Sequence, residues 1–131
     1  MIFQLNKKYK YELTITPEII DDFAKLSGDY SLIHMDKSFA LSKNFQGRIA
    51  HGTILNIMLS NLIGMKLNTY DIMMLSQNIK YRQPIYENTK ITLEAVIHHI
   101  SEAVNIVEMK LKFLSDSNTI VANGKCQFKC L

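Results

Sequence analysis

The spacing of apolar residues changes along the chain, and each spacing predicts a different kind of element. "YKYELTI", from Tyr9 to Ile15, is typical of a short strand. Residues 16–28 have apolar side chains three and four apart, which predicts an amphipathic helix. Thr16 is suited to cap its start, Pro17 to occupy its first turn, and Gly28 to end it in a left-handed conformation.

The middle of the chain contains a segment that is apolar almost all round. From Thr53 to Leu67 the aliphatic side chains spread over most of the helical circumference, which is typical of a buried helix. Such a helix would be about 20 Å long at 1.5 Å per residue. Before it we expect a short helix through Phe39 and Ala40, capped by Asp36.

From Ile72 onward, apolar and polar residues alternate, which predicts strands. The predicted strands are Ile72–Arg82, ended by Pro84, and runs near 91–97, 107–113 and 120–128. Turn residues separate the later strands at 86–88 and 115–118. The pattern predicts one α+β domain over residues 1–131, in which an antiparallel sheet covers a long apolar helix.

Composition narrows the classes of protein. With 47% hydrophobic and 21% charged residues, the chain is expected to fold rather than remain disordered. A net charge of +3 is too small to indicate nucleic-acid binding. The apolar segment is shorter than the roughly 20 residues that a membrane span needs. No signal peptide is visible at the start, so we expect a cytoplasmic protein without a membrane partner.

The two cysteines, Cys126 and Cys130, lie on one predicted strand. Four residues of strand separate them by about 13 Å, which is too far for a disulfide. Two thiols without further ligands also make a poor zinc site. We therefore expect free thiols and no bound metal.

Two stretches together form a specific pattern: "LSGDYSLIHMD", Leu26 to Asp36, and "FQGRIAHGTILNIMLS", which begins at Phe45. They resemble the MaoC-like family of R-specific enoyl-CoA hydratases, whose pattern is S-G-D-x-N-P-x-H-x-D followed by F-x-x-x-I-x-H-G. The later "LSQNIKYRQPIYENTKITLEAVI" resembles the family's strand, F-x-x-P-V turn and next strand. The resemblance covers roughly residues 16–100 and implies the hot-dog fold, in which the sheet wraps around the central helix.

The resemblance also implies a reaction and its residues. The family's reaction is reversible hydration of trans-2-enoyl thioesters, linked to CoA or a carrier protein, to (R)-3-hydroxyacyl thioesters. It assigns Asp29 and His34 to the pair that activates water, which suits groups that exchange protons near neutral pH. It assigns the Gly52 amide, at a helix N-terminus, to the negative thioester oxygen. His51 is expected to orient the turn, and Ser60 stands where bacterial relatives carry a serine that supports the acid.

The chain departs from the family pattern at Ser31 and Leu32, which replace asparagine and proline. In the family the asparagine amide positions or polarises the substrate, so Ser31 is a candidate substrate contact that offers a single hydroxyl. Losing the proline loosens the loop.

A run of cations without any acid lies between Lys37 and Tyr70, and we call Lys37, Lys43, Arg48 and Lys66 the basic rim. We expect it to contact the phosphates of CoA or phosphopantetheine, the carriers of the substrate. Arg48 is the best candidate, since arginine binds phosphate through paired donors and it lies three residues before His51. No other cofactor is expected.

Other readings remain open. Taken alone, Asp29 could be a turn residue and His34 a packed histidine. A hot-dog thioesterase is less favoured, because no acid lies between Asp36 and Asp71, where such enzymes often carry a helical carboxylate. A non-catalytic thioester-binding module or partner subunit is supported by the change at Ser31 and Leu32. We also expect a homodimer, because hot-dog relatives pair edge to edge and a lone sheet leaves an edge strand open.

Overall fold

The computed structural model describes residues 2–131 and shows five strands, four α-helices and a π-helical turn. In chain order these are β1 Lys8–Ile15, α1 Pro17–Ser27, α2 Leu32–Met35, α3 Lys37–Ser42, α4 Ile54–Asn61, the π-helical turn Leu62–Lys66, β2 Ile72–Tyr81, β3 Thr89–Ser101, β4 Ile106–Leu114 and β5 Ile120–Cys130.

The five strands form one antiparallel sheet in the order β1-β3-β4-β5-β2. Although β2 precedes β3 in the chain, it pairs with β5, so that Tyr81 lies opposite Ala122. The strands β1 and β2 are therefore the two edges of the sheet. The period-two pattern is confirmed, since alternate residues of β3 and β4 are buried.

A single hydrophobic cluster fills the space between the sheet and α4. The helix contributes Ile54, Leu55, Met58 and Leu59, which are buried against the inner face of the sheet. Alternating side chains of the central strands meet it, among them Ile91, Leu93, Val107, Met109, Phe113 and Phe128. This is the α+β arrangement that the patterns predict, a sheet wrapped around an apolar helix.

The central helix differs from the prediction in two respects. It is α-helical only over Ile54–Asn61 and continues as the π-helical turn. It is also not buried all round, since Ile57 is 43% and Met65 62% exposed. Their apolar side chains therefore contribute to the surface of the chain rather than to its core.

The local signals around α1 are confirmed. Thr16 Oγ1 accepts a hydrogen bond from the Ile19 amide at 3.2 Å, and Gly28 ends the helix with φ +77°. Asp36 caps α3 by accepting from the Phe39 amide at 3.0 Å. The short helix α2, just before it, was not predicted.

Near the end of the chain, the last strands carry both cysteines and two of the histidines. Both cysteines are free, as predicted. His98 and His99 lie within β3, which continues to Ser101. His99 is exposed, whereas His98 is half-buried and contacts the Glu108 carboxylate. Within residues 2–131, no helix is both long and apolar enough to cross a membrane.

Candidate active site

The end of helix α1 fixes the position of Asp29. Gly28 adopts the left-handed conformation, and its amide donates to the Ala24 carbonyl at 2.8 Å. The Ser27 hydroxyl donates to the Phe23 carbonyl at 2.7 Å and accepts from the Asp29 amide at 3.1 Å. The backbone of Asp29 is therefore held by the helix cap rather than by a free loop.

The two carboxylate oxygens of Asp29 have different surroundings. Oδ1 accepts from the Ser31 hydroxyl at 2.5 Å and from the Ser31 amide at 3.1 Å. Oδ2 lies 3.9 Å from His34 Nε2. The hydrogen bond from the Ser31 hydroxyl, followed by that from its amide, lowers the pKa of Asp29. Asp29 is thus held in its ionised form as a hydrogen-bond acceptor.

The ring of His34 is oriented by Ile49. His34 Nδ1 lies 2.6 Å from the Ile49 carbonyl oxygen, which can only accept, so Nδ1 carries a proton and donates it. The Ile49 amide in turn donates to the Ile33 carbonyl at 3.1 Å, just before His34. In the neutral ring, Nε2 is then without a proton and faces the Asp29 carboxylate.

His51 packs beneath the pair. Its ring stacks on that of His34 with centroids 4.0 Å apart, and the Phe23 ring lies 4.8 Å away on α1. His51 is buried, and its Nε2 donates to the Asp29 carbonyl oxygen at 2.9 Å. His51 therefore links the backbone of one member of the pair to the ring of the other, as a positioning residue would.

His34 and Gly52 line the same cleft, which has a volume of about 400 Å³. Its walls are mostly apolar and include Phe45, Ile49, Ala50, Pro84 and Ile85. Gly52 lies in the turn that begins α4, where its carbonyl accepts from the Leu55 amide at 3.0 Å. Among residues 2–131 its own amide donates no backbone hydrogen bond, as is usual for the first amides of a helix.

Tyr81, at the end of β2, also lines this cleft, and the sequence did not single it out. A Cβ atom placed on Gly52 would lie 2.6 Å from Tyr81 Cζ and 2.8 Å from Cε1. The glycine therefore leaves room for the tip of the Tyr81 ring. The sequence could have identified Tyr81, because it stands three residues before Pro84, at the aromatic position of the F-x-x-P-V pattern.

Ser31 and Ser60 do not occupy the positions that their expected roles require. Ser31 gives its hydroxyl to Asp29 rather than presenting it to the cleft. Ser60 lines a different cleft of about 440 Å³ between α4 and β2, together with Met74 and Leu75. Within this chain the site thus contains Asp29, His34 and Gly52, but not Ser60.

The expected role of Arg48 as a phosphate contact is not supported. Its guanidinium is paired with Asp21 at 2.8 Å and with Glu87 at 3.2 Å, and its side chain is only 12% exposed. These carboxylates neutralise the charge that a phosphate would need. Arg48 joins α1 to the β2–β3 connection. The basic rim therefore lacks the arginine that was expected to bind phosphate.

Positive charge instead accumulates on the outer face of the sheet, because lysines occupy the alternate positions that point away from α4. The lysines on this face include Lys8, Lys10, Lys80, Lys110, Lys112, Lys125 and Lys129. Its acids are Glu12, Glu94 and Glu108. Arg82 lies where this face meets the cleft. Among the lysines and arginines of residues 2–131, Arg82 is the one that lines the cleft.

Asp29, His34 and His51 also offer possible metal-ligand atoms within 4.8 Å of one another. A carboxylate and two imidazoles are donors that zinc accepts. Two of the ring nitrogens are already used, because His34 Nδ1 and His51 Nε2 donate to backbone carbonyls. The buried His51 Nδ1 has no hydrogen-bond partner among the described residues. The expectation of a metal-free site stays a prediction.

Comparisons with known proteins identify the family. The (R)-specific enoyl-CoA hydratase of Aeromonas caviae is 25% identical over 107 residues, which is 82% of this chain and 80% of that protein. A 3-hydroxybutyryl-CoA dehydratase of Methylorubrum extorquens is 33% identical over 63 residues, covering 48% of this chain and 40% of that protein. The solved (R)-hydratase structure from Aeromonas caviae superposes with a TM-score of 0.93 at 22% identity, covering 99% of this chain and 98% of that one.

The superposition establishes the hot-dog fold that the motif implied. Residues 3–119 match the MaoC like domain family. This match takes in the helix cap that carries Asp29, the turn at Gly52 and most of the sheet. The chain belongs to the family of MaoC-like domains.

Proposed function

We propose that this protein is a hydro-lyase that reversibly hydrates trans-2-enoyl thioesters to (R)-3-hydroxyacyl thioesters. The observation that carries the proposal is the pairing of Asp29 Oδ2 and His34 Nε2, 3.9 Å apart, with His34 lining a largely apolar cleft. Each atom offers a lone pair to a proton when Asp29 is ionised and the His34 ring is neutral. The relative from Aeromonas caviae named as an (R)-specific enoyl-CoA hydratase supports the same reaction.

A water molecule between the pair accounts for the separation. At 3.9 Å the two acceptors are too far apart to share a proton directly. They are close enough for one water to donate a hydrogen bond to each of them. Such a water has its lone pairs free, and these lone pairs are what must attack the β-carbon of the substrate.

The proton balance of the reaction needs both groups. The water oxygen forms a bond to the β-carbon as one of its protons passes to Asp29 or His34. The electron pair of the double bond moves toward the thioester carbonyl, and the α-carbon then takes a proton from the pair. The pair begins and ends with the same number of protons, and dehydration is the same sequence run backwards.

Between attack at the β-carbon and protonation of the α-carbon, the thioester oxygen carries negative charge and requires a hydrogen-bond donor. The Gly52 amide is suited to this, because it precedes α4 and donates no backbone hydrogen bond among the described residues. Amides at a helix N-terminus stabilise negative charge. The mostly apolar lining of the cleft strengthens this interaction by lowering the local dielectric.

The alternative readings receive less support from the geometry. A thioesterase would need a group to attack the thioester carbonyl, and α4 carries no acid. The hypothesis of a non-catalytic binding module was based on the replacement of the family's asparagine by Ser31. The Ser31 hydroxyl now has a role in the site, since it binds Asp29, so the change does not imply loss of catalysis.

We further propose that the protein is a homodimer in which the β2 edges of two copies pair. β2 is an edge strand, and it exposes Met73, Met74 and Leu75. Leu59 and Ile63 line the same cleft as Met74 and Leu75 and add to this apolar surface. Because Ser60 lies in the adjoining cleft, any role of its hydroxyl would be at the interface and not at Asp29 of its own chain.

The proposal is tested by following loss of the enoyl-thioester absorbance with crotonyl-CoA, longer enoyl-CoA and carrier-linked substrates. We expect turnover by the wild type and a loss of at least ~100-fold in Asp29→Asn, the size of general acid–base effects. Asp22→Asn, an exposed position on α1, is the matched control and should be as active as wild type. A folded wild type that turns over none of these substrates would contradict the proposal.

A further inference from the structure

We propose that the Tyr81 hydroxyl is a second hydrogen-bond donor to the thioester oxygen, beside the Gly52 amide. This inference rests on the proposed hydration and adds a residue to it. It starts from the contact between Gly52 and the tip of the Tyr81 ring.

The backbone of Tyr81 is firmly placed. Tyr81 pairs with Ala122 at the end of β2, and the Arg82 and Gln83 amides donate to the Val121 carbonyl at 2.8 and 3.2 Å. The Arg82 side chain is also held, because its Nε donates to Asn123 Oδ1 at 3.0 Å. The Tyr81 side chain therefore projects from a fixed point, although it is 55% exposed.

The end of the ring that carries the hydroxyl is the end that approaches Gly52. The three atoms nearest to a Cβ built on Gly52 are Cζ, Cε1 and Cε2 of Tyr81, at 2.6, 2.8 and 3.1 Å. Cζ bears the hydroxyl, so the phenol oxygen is one bond from the closest contact. Both residues line the same cleft, and the contact places the hydroxyl-bearing end of the ring beside Gly52.

The Tyr81 hydroxyl is also available. None of the side-chain hydrogen bonds found within residues 2–131 uses it, whereas several other donors near the site are engaged. Ser31 donates to Asp29, His34 Nδ1 donates to Ile49, and Arg82 Nε donates to Asn123. Gln83 lines the cleft as well, but no contact places it against Gly52.

Two converging donors are what the reaction needs on the thioester oxygen. A phenol donates one hydrogen bond, and a donor fixed before the reaction stabilises charge as it develops. Loss of one oxyanion donor costs about 10²–10³ in turnover in a well-enclosed site. Because Tyr81 is partly solvated, we expect a smaller loss, of at least ~10-fold.

Tyr81→Phe is the direct test, because it keeps the ring against Gly52 and removes only the hydroxyl. We expect kcat to fall at least ~10-fold while KM changes less than ~3-fold. The reason is that the hydrogen bond from Tyr81 strengthens as negative charge forms on the thioester oxygen. Tyr11→Phe, which removes a hydroxyl on the opposite edge strand, should leave both constants unchanged. Unaltered kcat, or a change confined to KM, in a folded Tyr81→Phe protein would overturn the inference.

A second measurement separates this inference from the proposed reaction. In the Asp29→Asn background, a bound conjugated enoyl thioester should absorb at longer wavelength than in water, because donors polarise its carbonyl. We expect Tyr81→Phe to reduce this shift. If the wild type binds the thioester but never hydrates it, the proposed function fails and the shift still decides the role of Tyr81. An equal shift in Asp29→Asn and in Asp29→Asn with Tyr81→Phe, or no binding of the thioester to Asp29→Asn, would overturn the role of Tyr81 as a donor.

Discussion

At the scale of single residues, Asp29 uses its two carboxylate oxygens for two different tasks. Oδ1 is saturated by the Ser31 hydroxyl and amide, and Oδ2 faces His34 Nε2. The serine that replaces the family's asparagine therefore acts on the acid. It holds the orientation of the carboxylate and favours its ionised form.

Ser31→Ala should move the acidic limb of the pH profile to higher pH. The Ser31 hydroxyl is the largest cause of the lowered pKa of Asp29, so its removal lets that pKa rise toward its ordinary value. In the proposed reaction, activity requires ionised Asp29 and is lost as pH falls through its pKa. The measurement is kcat/KM between about pH 3 and 8. An acidic limb that stays in place would show that Ser31 does not tune the acid.

Sequence reasoning found the residues of the site that are close together in the chain. Asp29 and His34 are five residues apart and belong to one motif. The partners of Arg48, Asp21 and Glu87, are 27 and 39 residues away from it, and periodicity carries no information about such pairs. The contact of Tyr81 with Gly52 depends in the same way on where β2 ends relative to α4.

At the scale of elements, the start of α2 shows how the loop holds its shape without the family's proline. Ser31 has φ −54° and ψ 138°, the extended conformation that a residue before proline prefers. Leu32 occupies the first helical position and its amide donates no backbone hydrogen bond among the described residues. The backbone here is already compatible with proline.

Leu32→Pro should therefore stabilise the protein by about 0.4–1 kcal/mol, mainly by restricting the unfolded chain. The measurement is the free energy of unfolding in urea, with Leu41→Pro as the control. Leu41 is equally exposed but lies within α3, where proline should destabilise. A destabilising effect of Leu32→Pro would mean that α2 has less room at its start than the backbone angles indicate.

Arg48→Gln should lower the free energy of unfolding by about 1–2 kcal/mol, because it leaves the Asp21 and Glu87 carboxylates without their shared cation. Lys43→Gln, another member of the basic rim, should have little effect. Since Arg48 is already neutralised, we expect KM for a CoA substrate to be unchanged. A raised KM with normal stability would restore the phosphate-binding role that the sequence suggested.

The elements themselves were predictable to different degrees. The caps of α1 depend on Thr16, Pro17 and Gly28, which act locally, and they were predicted. The change from α-helix to π-helical turn at Leu62 was not predicted, because an apolar surface all round the helix does not distinguish the two hydrogen-bond patterns. Alternation gave the strands but not the pairing of β2 with β5, which joins residues about fifty positions apart.

At the scale of the whole molecule, the first half of the β2 edge is apolar and the outer face of the sheet is basic. A long exposed edge strand is a site for pairing with another chain. The lysines on the outer face disfavour close approach of two copies face to face. The charge distribution therefore favours association through the β2 edge and leaves the outer face free.

Leu75→Glu should convert a dimer to a monomer in sedimentation experiments. Leu75 is 43% exposed at the β-bulge of β2, and a charge there would be buried by pairing. Val104→Glu is the control, since Val104 is 51% exposed but lies in the β3–β4 turn. A wild type that sediments as an active monomer would exclude the proposed pairing.

In the proposed reaction, Asp29 and His34 act together on one water. The measurement is kcat for Asp29→Asn, His34→Gln and the double variant, each shown to be folded. Residues that act as a unit give non-additive losses. We predict that each single change costs at least ~100-fold and that the double change costs little more than the worse of the two. Near-normal turnover in either single variant, or a double loss equal to the product of the single losses, would contradict joint action of Asp29 and His34 on one water.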